Sequence, residues 1–332
     1  MFGSDSECDE LYEQKMINYY EHKITDGKLV IEEDDSLKSL NFLERFNLSE
    51  LDIIFCIHSY LKIPQSVETL RMECCLLYDD IDGLELPPNL KSLSLHRNKI
   101  TDISDLPIVD NLIQLDISEN EIDDLERLQE FKQLQILNLN LNLIKNLEPL
   151  KGMKLTKLNL ESNLVSNLDA LKNMITLTEL ILTYNKIKDL SALQKLTQLA
   201  SLQLKHNRIE QLDSLHNLKS LIELNLSDNK IKQIQSLENL MQLNYLNLYS
   251  NNIQNIQALL SLTNLKTLIL AKNNITDISA LKNLTSLVKL SLYRNQIGDI
   301  QPLGKLLNLQ DLNLFANKIS DISCLKNLQN LN

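Results

Sequence analysis

The sequence predicts an α/β solenoid, in which short parallel strands stack into one sheet and short 3₁₀ or helical turns return along the opposite side. Three observations predict this class. Leucine and asparagine account for 74 and 37 of the 332 residues. Glycine and proline number only six each. A single pattern of apolar residues followed by asparagine recurs at a nearly constant interval through most of the chain, as in proteins built from stacked repeats.

The repeat follows the pattern LxxLxLxxNxI and begins at Leu90. In one representative copy, Leu199, Leu202 and Leu204 precede Asn207, and Ile209 follows it. Successive asparagines are 22 residues apart, with a single interval of 21. The asparagine position is occupied by Asn98, Asn120, Asn142, Asn163, Asn185, Asn207, Asn229, Asn251, Asn273, Asn295 and Asn317. Eleven copies in one frame predict eleven equivalent coils, each formed by one repeat.

The LxLxx segment of each repeat predicts a short strand, because alternate residues of a strand point to opposite faces of a sheet. The leucines then point inward and the intervening residues outward. One coil has too few leucines to form a core alone, so neighbouring coils must pair their strands in parallel. Few residues remain for the return path, which favours a 3₁₀ or short helical turn. The return side is wider than the strand side, so we expect an arc with a concave sheet.

The asparagine column is predicted to be structural. A chain that turns away from a buried strand leaves backbone N–H and C=O groups inside the core, where each needs a hydrogen-bond partner. A side-chain amide offers both donors and an acceptor. We therefore assign all eleven asparagines to a hydrogen-bonded ladder that runs from coil to coil.

Four segments follow from the pattern: residues 1–25, 26–89, 90–325 and 326–332. Residues 1–25 predict an amphipathic capping helix, and the alternative is a docking helix for a partner. Residues 26–89 predict degenerate repeats. The helix presents Tyr12, Met16, Tyr19 and Tyr20 on one face. Three degenerate coils keep residues in the repeat frame: Leu29, Ile31 and Asp34 in the first; Leu48, Leu51, Ile53 and Cys56 in the second; and Val67, Leu70, Met72 and Cys75 in the third.

The last seven residues, 326–332, begin a further repeat and then stop. Two explanations remain open. Either the sequence is a fragment of a longer protein, or a partner or a second copy covers the leucines of this uncapped end.

The repeats resemble the leucine-rich repeat family over residues 90–325. The 22-residue length and tails such as residues 275–281 (ITDISAL) are similar to its short subclass. That subclass includes a regulatory subunit of type-1 protein phosphatase and the internalin adhesins of bacteria. The resemblance implies a horseshoe or arc with a parallel concave sheet and short 3₁₀ or helical turns on the convex side. It implies protein binding without naming what is bound.

The charge distribution argues against a nucleic-acid ligand. The formal net charge is −11, and residues 1–89 contain 7 basic and 20 acidic side chains. Residues 90–332 contain 26 basic and 24 acidic side chains. Neither part has the excess of lysine and arginine that phosphate binding requires.

Membrane spans, metals, cofactors and catalysis are also not predicted. No apolar run approaches about 18 residues, and no secretory signal is visible. The five cysteines are odd in number and lack a CxxC pair, which favours a reducing compartment such as the cytoplasm. No Cys/His cluster has metal-ligand spacing. The five histidines are scattered, and no catalytic motif is present, so we do not expect an enzyme.

The outward strand residues form the candidate site. Large aromatic residues are scarce in this chain, yet several of them fall on or beside the predicted concave sheet. Exposed tyrosine and arginine are the residue types that carry interface energy. The alternative is that aromatic residues simply favour strands. The predicted partner-binding residues are Tyr184, His206, Tyr245, Tyr249, Tyr293, Arg294 and Phe315.

A second outward column is rich in asparagine and predicts amides that hydrogen-bond to one another across neighbouring strands. Its members are Asn138, Asn159, Asn225, Asn247 and Asn313.

These observations predict a non-catalytic interaction scaffold that binds a protein partner through its concave face. Three alternatives remain: a regulatory subunit of a protein phosphatase, an internalin-like cell-surface adhesin, and an enzyme whose catalytic domain has been lost by truncation. Self-association through the uncapped C-terminal end is a further expectation.

Overall fold

A computed structural model describes residues 5–32, 41–54, 63–75 and 80–331 of the chain. The chain divides into two compact units, Met1–Leu155 and Thr156–Asn332. Within each unit, short parallel strands alternate with return segments, most of which contain one 3₁₀ turn, and this arrangement confirms the predicted solenoid class.

The first unit contains one helix, six strands and four 3₁₀ turns among its described residues. The helix α1 spans Asp5–Glu21. The strands are β1 (Lys28–Glu32), β2 (Glu50–Ile54), β3 (Thr69–Glu73), β4 (Ser92–Ser94), β5 (Gln114–Asp116) and β6 (Ile136–Asn138). The 3₁₀ turns are η1 (Asn41–Arg45), η2 (Asp80–Gly83), η3 (Glu126–Glu130) and η4 (Glu148–Leu150). Each strand from β1 to β5 pairs in parallel with the next one.

The degenerate coils have longer strands than the regular ones. Strands β1 to β3 have five residues each, against three in β4 to β6. Lys28 lies in β1 and its ammonium is 2.5 Å from the carboxylate of Glu50 and 3.0 Å from that of Asp52. Hydrogen bonds to Glu50 and then to Asp52 raise the pKa of Lys28 above its ordinary value.

Helix α1 packs against η1 through aromatic side chains. Tyr20 and Phe42 are both buried, and their rings stack with centroids 5.6 Å apart. The predicted apolar face is only partly formed, because Tyr12 and Met16 are half-buried. The prediction for Tyr19 is wrong: its side chain is exposed, and its ring lies under the ammonium of Lys23 at 4.0 Å. This cation replaces the apolar neighbour that the helical spacing had suggested.

The second unit contains eight strands and eight 3₁₀ turns among its described residues. The strands are β7 (Lys157–Asn159), β8 (Glu179–Ile181), β9 (Ser201–Gln203), β10 (Glu223–Asn225), β11 (Tyr245–Asn247), β12 (Thr267–Ile269), β13 (Lys289–Ser291) and β14 (Asp311–Asn313). The turns are η5 (Asp169–Leu171), η6 (Ser191–Leu193), η7 (Asp213–Leu215), η8 (Gln235–Leu237), η9 (Gln257–Ser261), η10 (Ser279–Asn283), η11 (Gln301–Lys305) and η12 (Ser323–Asn327). Each strand from β7 to β13 pairs in parallel with the next one.

The strand register keeps the leucines of successive coils aligned. Leu224 in β10 stands opposite Leu202 in β9 and Leu246 in β11, and all three are fully buried. Burying one leucine side chain stabilises a protein by roughly 1.5–3 kcal/mol. The same frame repeats at intervals of 22 residues, so every coil adds its aliphatic side chains to the core shared with its neighbours.

The column of asparagines binds the backbone at the corner where the chain leaves each strand. The amide nitrogen of Asn207 donates to Leu182 O of the preceding coil at 2.9 Å, and to Leu204 O and Lys205 O of its own coil at 3.2 Å. Its Oδ1 accepts the N–H of Ile187 of the preceding coil at 3.0 Å. Asn229, Asn251 and Asn273 repeat the bonds to the preceding coil.

Cys75 occupies the asparagine position of its coil and makes a weaker version of these contacts. Its buried thiol lies 3.5 Å from Ile53 O and from Glu73 O, and its N–H donates to the Oδ1 of Asn98 at 2.7 Å. The corresponding positions in the two coils before it, Cys56 and Asp34, lie outside the described residues.

A second side-chain hydrogen bond begins the return turns. Asp189 Oδ1 accepts the N–H of Ser191, two residues ahead, at 2.8 Å. Asp124 and Asp321 accept the N–H of Glu126 and of Ser323 in the same way. The N–H and then the hydroxyl of Ser323 lower the pKa of Asp321. These short Asx turns hold the backbone in the bend that starts each turn.

We expect Asn207→Ala to lower the free energy of unfolding by about 1–3 kcal/mol, because it leaves the buried N–H of Ile187 without its acceptor and removes one of the donors to three backbone carbonyls. Chemical denaturation measures this change. Asn217→Ala is the matched control: this exposed asparagine should change the stability by less than about 0.5 kcal/mol. Equal unfolding midpoints for the two variants would contradict the structural role of the column.

Candidate protein-binding site

All seven predicted partner-binding residues lie in the second unit and on the outward side of its sheet. Tyr245 is the first residue of β11. Three residues each lie two positions beyond the end of a strand: Tyr249 after β11, Tyr293 after β13 and Phe315 after β14. The other three, Tyr184, His206 and Arg294, each lie three residues beyond the end of a strand.

Two of the seven form a pair of their own. The rings of Tyr184 and His206 are tilted against each other with centroids 4.7 Å apart. The ammonium of Lys205 lies 5.3 Å from the centre of the Tyr184 ring. Strand β10 separates the coils that carry this pair from β11, where the larger group of aromatic residues begins.

The larger group combines aromatic rings with cations. The rings of Tyr293 and Phe315 stack with centroids 6.0 Å apart, and the guanidinium of Arg294 is 5.2 Å from the centre of the Tyr293 ring. The ammonium of Lys272 is 4.9 Å from the centre of the Tyr249 ring. Hydrogen bonding to Tyr249 raises the pKa of Lys272. Phe315 is 73% exposed, which leaves its ring open to a partner.

Sequence reasoning missed Lys272 and Lys205. The 22-residue interval places Lys272 in the same column as Arg294, one coil earlier, so this signal was available. The contact of each lysine with a tyrosine ring of a neighbouring coil was not visible in the sequence, because it depends on where long side chains lie across the sheet. Such cation–π contacts typically contribute about 0.5–1 kcal/mol at exposed sites.

Tyr245 is less open to a partner than the sequence suggested. Its side chain is half-buried, and its hydroxyl accepts a hydrogen bond from the amide nitrogen of Asn247 at 3.4 Å. Tyr245 therefore lies beside the larger group, at the start of β11, and its hydroxyl already has one hydrogen-bond partner within the chain.

The prediction of a ladder along the outward asparagine column is wrong. Asn225 and Asn247 face each other across β10 and β11, but their amides are not bonded to each other. Each instead accepts the N–H two residues ahead in its own chain, from Ser227 at 3.1 Å and from Tyr249 at 3.0 Å. Asn138, Asn159 and Asn313 make the same local bond. The amide oxygens bond locally because the chain bends just after the strand, where the backbone N–H comes within reach. The amide nitrogen of Asn138 also bonds across the strands, but to the carboxylate of Asp116 at 3.0 Å and not to another amide.

Every regular coil places a non-glycine residue in the left-handed region directly before its asparagine. The φ angles of Tyr184, His206 and Arg294 are 54°, 54° and 53°, and those of Ser250 and Lys272 are 55° and 53°. This conformation costs an L-amino acid roughly 1–2 kcal/mol. Because the column includes residues as different as serine, lysine and tyrosine, the strain belongs to the coil geometry and not to one site.

The left-handed residues are held by backbone hydrogen bonds to the next coil. Lys272 N donates to Tyr293 O at 2.7 Å, and Arg294 N donates to Phe315 O at 2.9 Å. Ser250 N donates to Ala271 O at 2.9 Å. The base of each side chain is thus fixed, so the site presents its cations from an ordered backbone.

The described residues contain no group of three or more His, Cys, Asp or Glu side chains that could hold a metal ion. Within the same ranges, no helix has the length and apolar character needed to cross a bilayer.

Comparison with known proteins identifies the family. Two family models match, one described as two copies of leucine-rich repeats at residues 263–305 and one described as a leucine-rich repeat at residues 153–209. An internalin of Listeria monocytogenes, InlF, is 36% identical with a TM-score of 0.65, and the match covers 75% of this chain and 81% of the internalin. The chain is a leucine-rich repeat protein.

Two further structures show how widely this fold is shared. A leucine-rich repeat protein of Leptospira interrogans is 28% identical with a TM-score of 0.78, covering 89% of this chain and 80% of the other. The ectodomain of a plant membrane receptor kinase from Arabidopsis thaliana, solved with Casparian strip integrity factor 2, is 22% identical with a TM-score of 0.67. That match covers 92% of this chain and 42% of the receptor, and it shows the fold alone. No curated protein sequence matches the chain.

We expect Ser250→Gly to raise the free energy of unfolding by about 0.5–1 kcal/mol, because glycine adopts the left-handed conformation without the steric cost. Thermal or chemical unfolding measures the gain. Ser220→Gly is the matched control: this exposed serine is not in the left-handed region, so its replacement should be neutral or destabilising. A loss of stability in Ser250→Gly would contradict the assigned strain.

Proposed function

We propose that this leucine-rich repeat protein is a non-catalytic scaffold that captures a partner protein on the outward side of the sheet in its second unit. The contact surface is the aromatic–basic patch, which we define as Tyr249, Lys272, Tyr293, Arg294 and Phe315. The observation that carries the proposal is the arrangement of this patch: three aromatic rings and two cations lie on four successive coils and contact one another in pairs.

The composition of the patch favours protein binding. Tyrosine and arginine are enriched among the residues that dominate interface energies, and phenylalanine is enriched in interface cores. Phe315 is 73% exposed and stacks on Tyr293, so a partner would cover a ring that is otherwise in water. Rings held by strand-anchored backbone lose little conformational entropy on binding, which leaves more of the contact energy for affinity.

A second candidate function is adhesion at a cell surface. The 36% identity to an internalin of Listeria monocytogenes favours it. The scaffold and the adhesin would both use the outward side of the sheet and differ in where the protein is found. We place the scaffold in the cytoplasm, in keeping with the thiols of Cys74 and Cys324, which form no disulfide within the described residues.

Antibody labelling of intact and permeabilised native cells separates these two functions. We expect labelling only after permeabilisation, because a cytoplasmic scaffold is shielded by the membrane. Labelling of intact cells would support the adhesin and remove the cytoplasmic placement. A total-protein control on lysed cells shows that the antibody recognises the chain in both preparations.

We expect Tyr249→Ala combined with Tyr293→Ala to weaken partner capture more than tenfold, which corresponds to about 1.4 kcal/mol or more. The loss should arise from the removed rings, because both are half-buried and neither belongs to the buried core. Affinity capture from the native cell with mass spectrometry identifies the partner, and titration of that partner measures the loss.

Tyr19→Ala is the control, since it removes an exposed tyrosine from the first unit. It should capture the partner as the unchanged protein does. Undiminished capture by the double variant would move the binding surface elsewhere in the chain. A captured phosphatase catalytic subunit would favour the regulatory-subunit alternative, and its absence would remove that alternative.

A further inference from the structure

We infer that the partner segment that occupies the aromatic–basic patch is extended and acidic, with carboxylates two residues apart and apolar side chains beside them on the same face. This inference rests on the proposed protein-binding function and adds the chemistry of the bound segment. Three observations support it: the local charge of the chain, the pairing of the charges on the outward face, and the spacing of the two cations.

The acidic character of the whole chain reverses near the patch. The formal net charge of the protein is −11, but residues 156–332 contain 18 lysine and arginine against 13 aspartate and glutamate residues. No acidic residue occurs between Glu238 and Asp277, a stretch that includes Tyr249 and Lys272. The coils that form the patch therefore present a positive field to an approaching segment.

The two cations of the patch are available for a carboxylate. Among the described residues, neither Lys272 nor Arg294 forms a salt bridge, and each lies over a tyrosine ring. The neighbouring acidic group, Asp311 of β14, is already paired with Lys289 of β13 at 2.6 Å. A partner carboxylate would thus meet two cations, and the charge of Asp311 would be neutralised by Lys289 instead of repelling it.

The charge at the left-handed position directly before each asparagine changes sign along the second unit. This change limits where the acidic segment lies. Two coils before Lys272, the left-handed position is occupied by Asp228, and the coil between them carries the neutral Ser250. An acidic segment is repelled by Asp228 and attracted by Lys272 and Arg294. We therefore place it across the coils of β12, β13 and β14.

The spacing of the cations matches an extended segment that crosses the coils. Lys272 and Arg294 start from adjacent coils, whose strands lie about 4.8 Å apart. In an extended chain, side chains on one face are two residues apart, or roughly 6–7 Å. The flexible stems of lysine and arginine bridge this difference. Carboxylates at positions i and i+2 then reach both cations, while apolar residues of the segment pack on Tyr293 and Phe315.

The test uses selection from a random library of displayed twelve-residue peptides against the full chain. We expect the enriched peptides to be acidic, with aspartate or glutamate two residues apart. The affinity of a synthetic enriched peptide should fall at least tenfold in Lys272→Gln combined with Arg294→Gln. It should also fall when the salt concentration rises from about 0.05 M to about 0.5 M, since exposed charge pairs are screened.

Lys282→Gln combined with Lys305→Gln is the matched control. It removes the same number of charges from turns η10 and η11 in the same two coils, where both lysines are exposed. This variant should bind the enriched peptide as the unchanged protein does. An equal loss in both double variants would mean that only net charge matters, and it would overturn the assignment to the patch.

The remaining outcomes separate this inference from the proposed function. Enriched peptides that are neutral or basic, but are lost in the Tyr249→Ala and Tyr293→Ala variant, overturn the acidic segment and leave protein binding at the patch intact. Peptides that bind both the tyrosine and the cation variants place the surface elsewhere and overturn both proposals. The absence of any enrichment counts against an extended segment.

Two other occupants are tested in parallel. Sedimentation velocity of the full chain would reveal a dimer, and its dissociation by Lys272→Gln with Arg294→Gln would assign the patch to a second copy. A single-stranded oligonucleotide that binds as tightly as the enriched peptide, and loses affinity in the same variant, would assign it to nucleic acid. Either result overturns the acidic protein segment.

Discussion

The need to hydrogen-bond a buried backbone at every coil corner governs this structure. The leucines of each strand require the chain to turn inside the core, where water cannot reach the peptide groups. The side chain of Asn207 meets much of this need, since it donates to Leu182 O, Leu204 O and Lys205 O and accepts the N–H of Ile187. Cys75 occupies the same position with only weak thiol contacts, in a region of longer strands. The hydrogen-bonded corner thus ties each coil to the one before it, at the same interval at which the core leucines align.

The same corner shapes the outward surface. The residue before each asparagine adopts a left-handed conformation, and its N–H is bonded to the next coil. Side chains at this position, such as Lys272 and Arg294, leave the coil in one direction from an ordered base. Lys272 reaches the ring of Tyr249 in the preceding coil, whereas Arg294 lies over the ring of its own neighbour, Tyr293. A scaffold of this kind holds interface residues in place before binding, which lowers the entropic cost of association.

Family membership and surface chemistry answer different questions about this protein. The leucine-rich repeat fold appears in an internalin of Listeria monocytogenes and in a plant receptor ectodomain, so the fold says how a surface is presented and leaves open what it binds. The outward residues carry that second kind of information. In this chain they combine aromatic rings with cations, and part of the patch lies in residues 239–276, which contain no acidic side chain.

The sequence by itself determined the solenoid class, the length of the coil, the core leucines and the position of each asparagine, because all of these follow from one apolar period. It also placed the seven candidate residues on the outward side of the sheet. The tertiary structure alone decided which of them meet. Lys272 contacts the ring of Tyr249, and Lys23 contacts the ring of Tyr19. Tyr184 and His206 form a ring pair apart from the larger group. The side-chain oxygens of Asn225 and Asn247 accept hydrogen bonds from backbone N–H groups two residues ahead in the chain. The physical reason is that burial repeats with the period, whereas a surface side chain settles among competing neighbours. Some of these lie a full coil away in sequence, and others lie only two to four residues away.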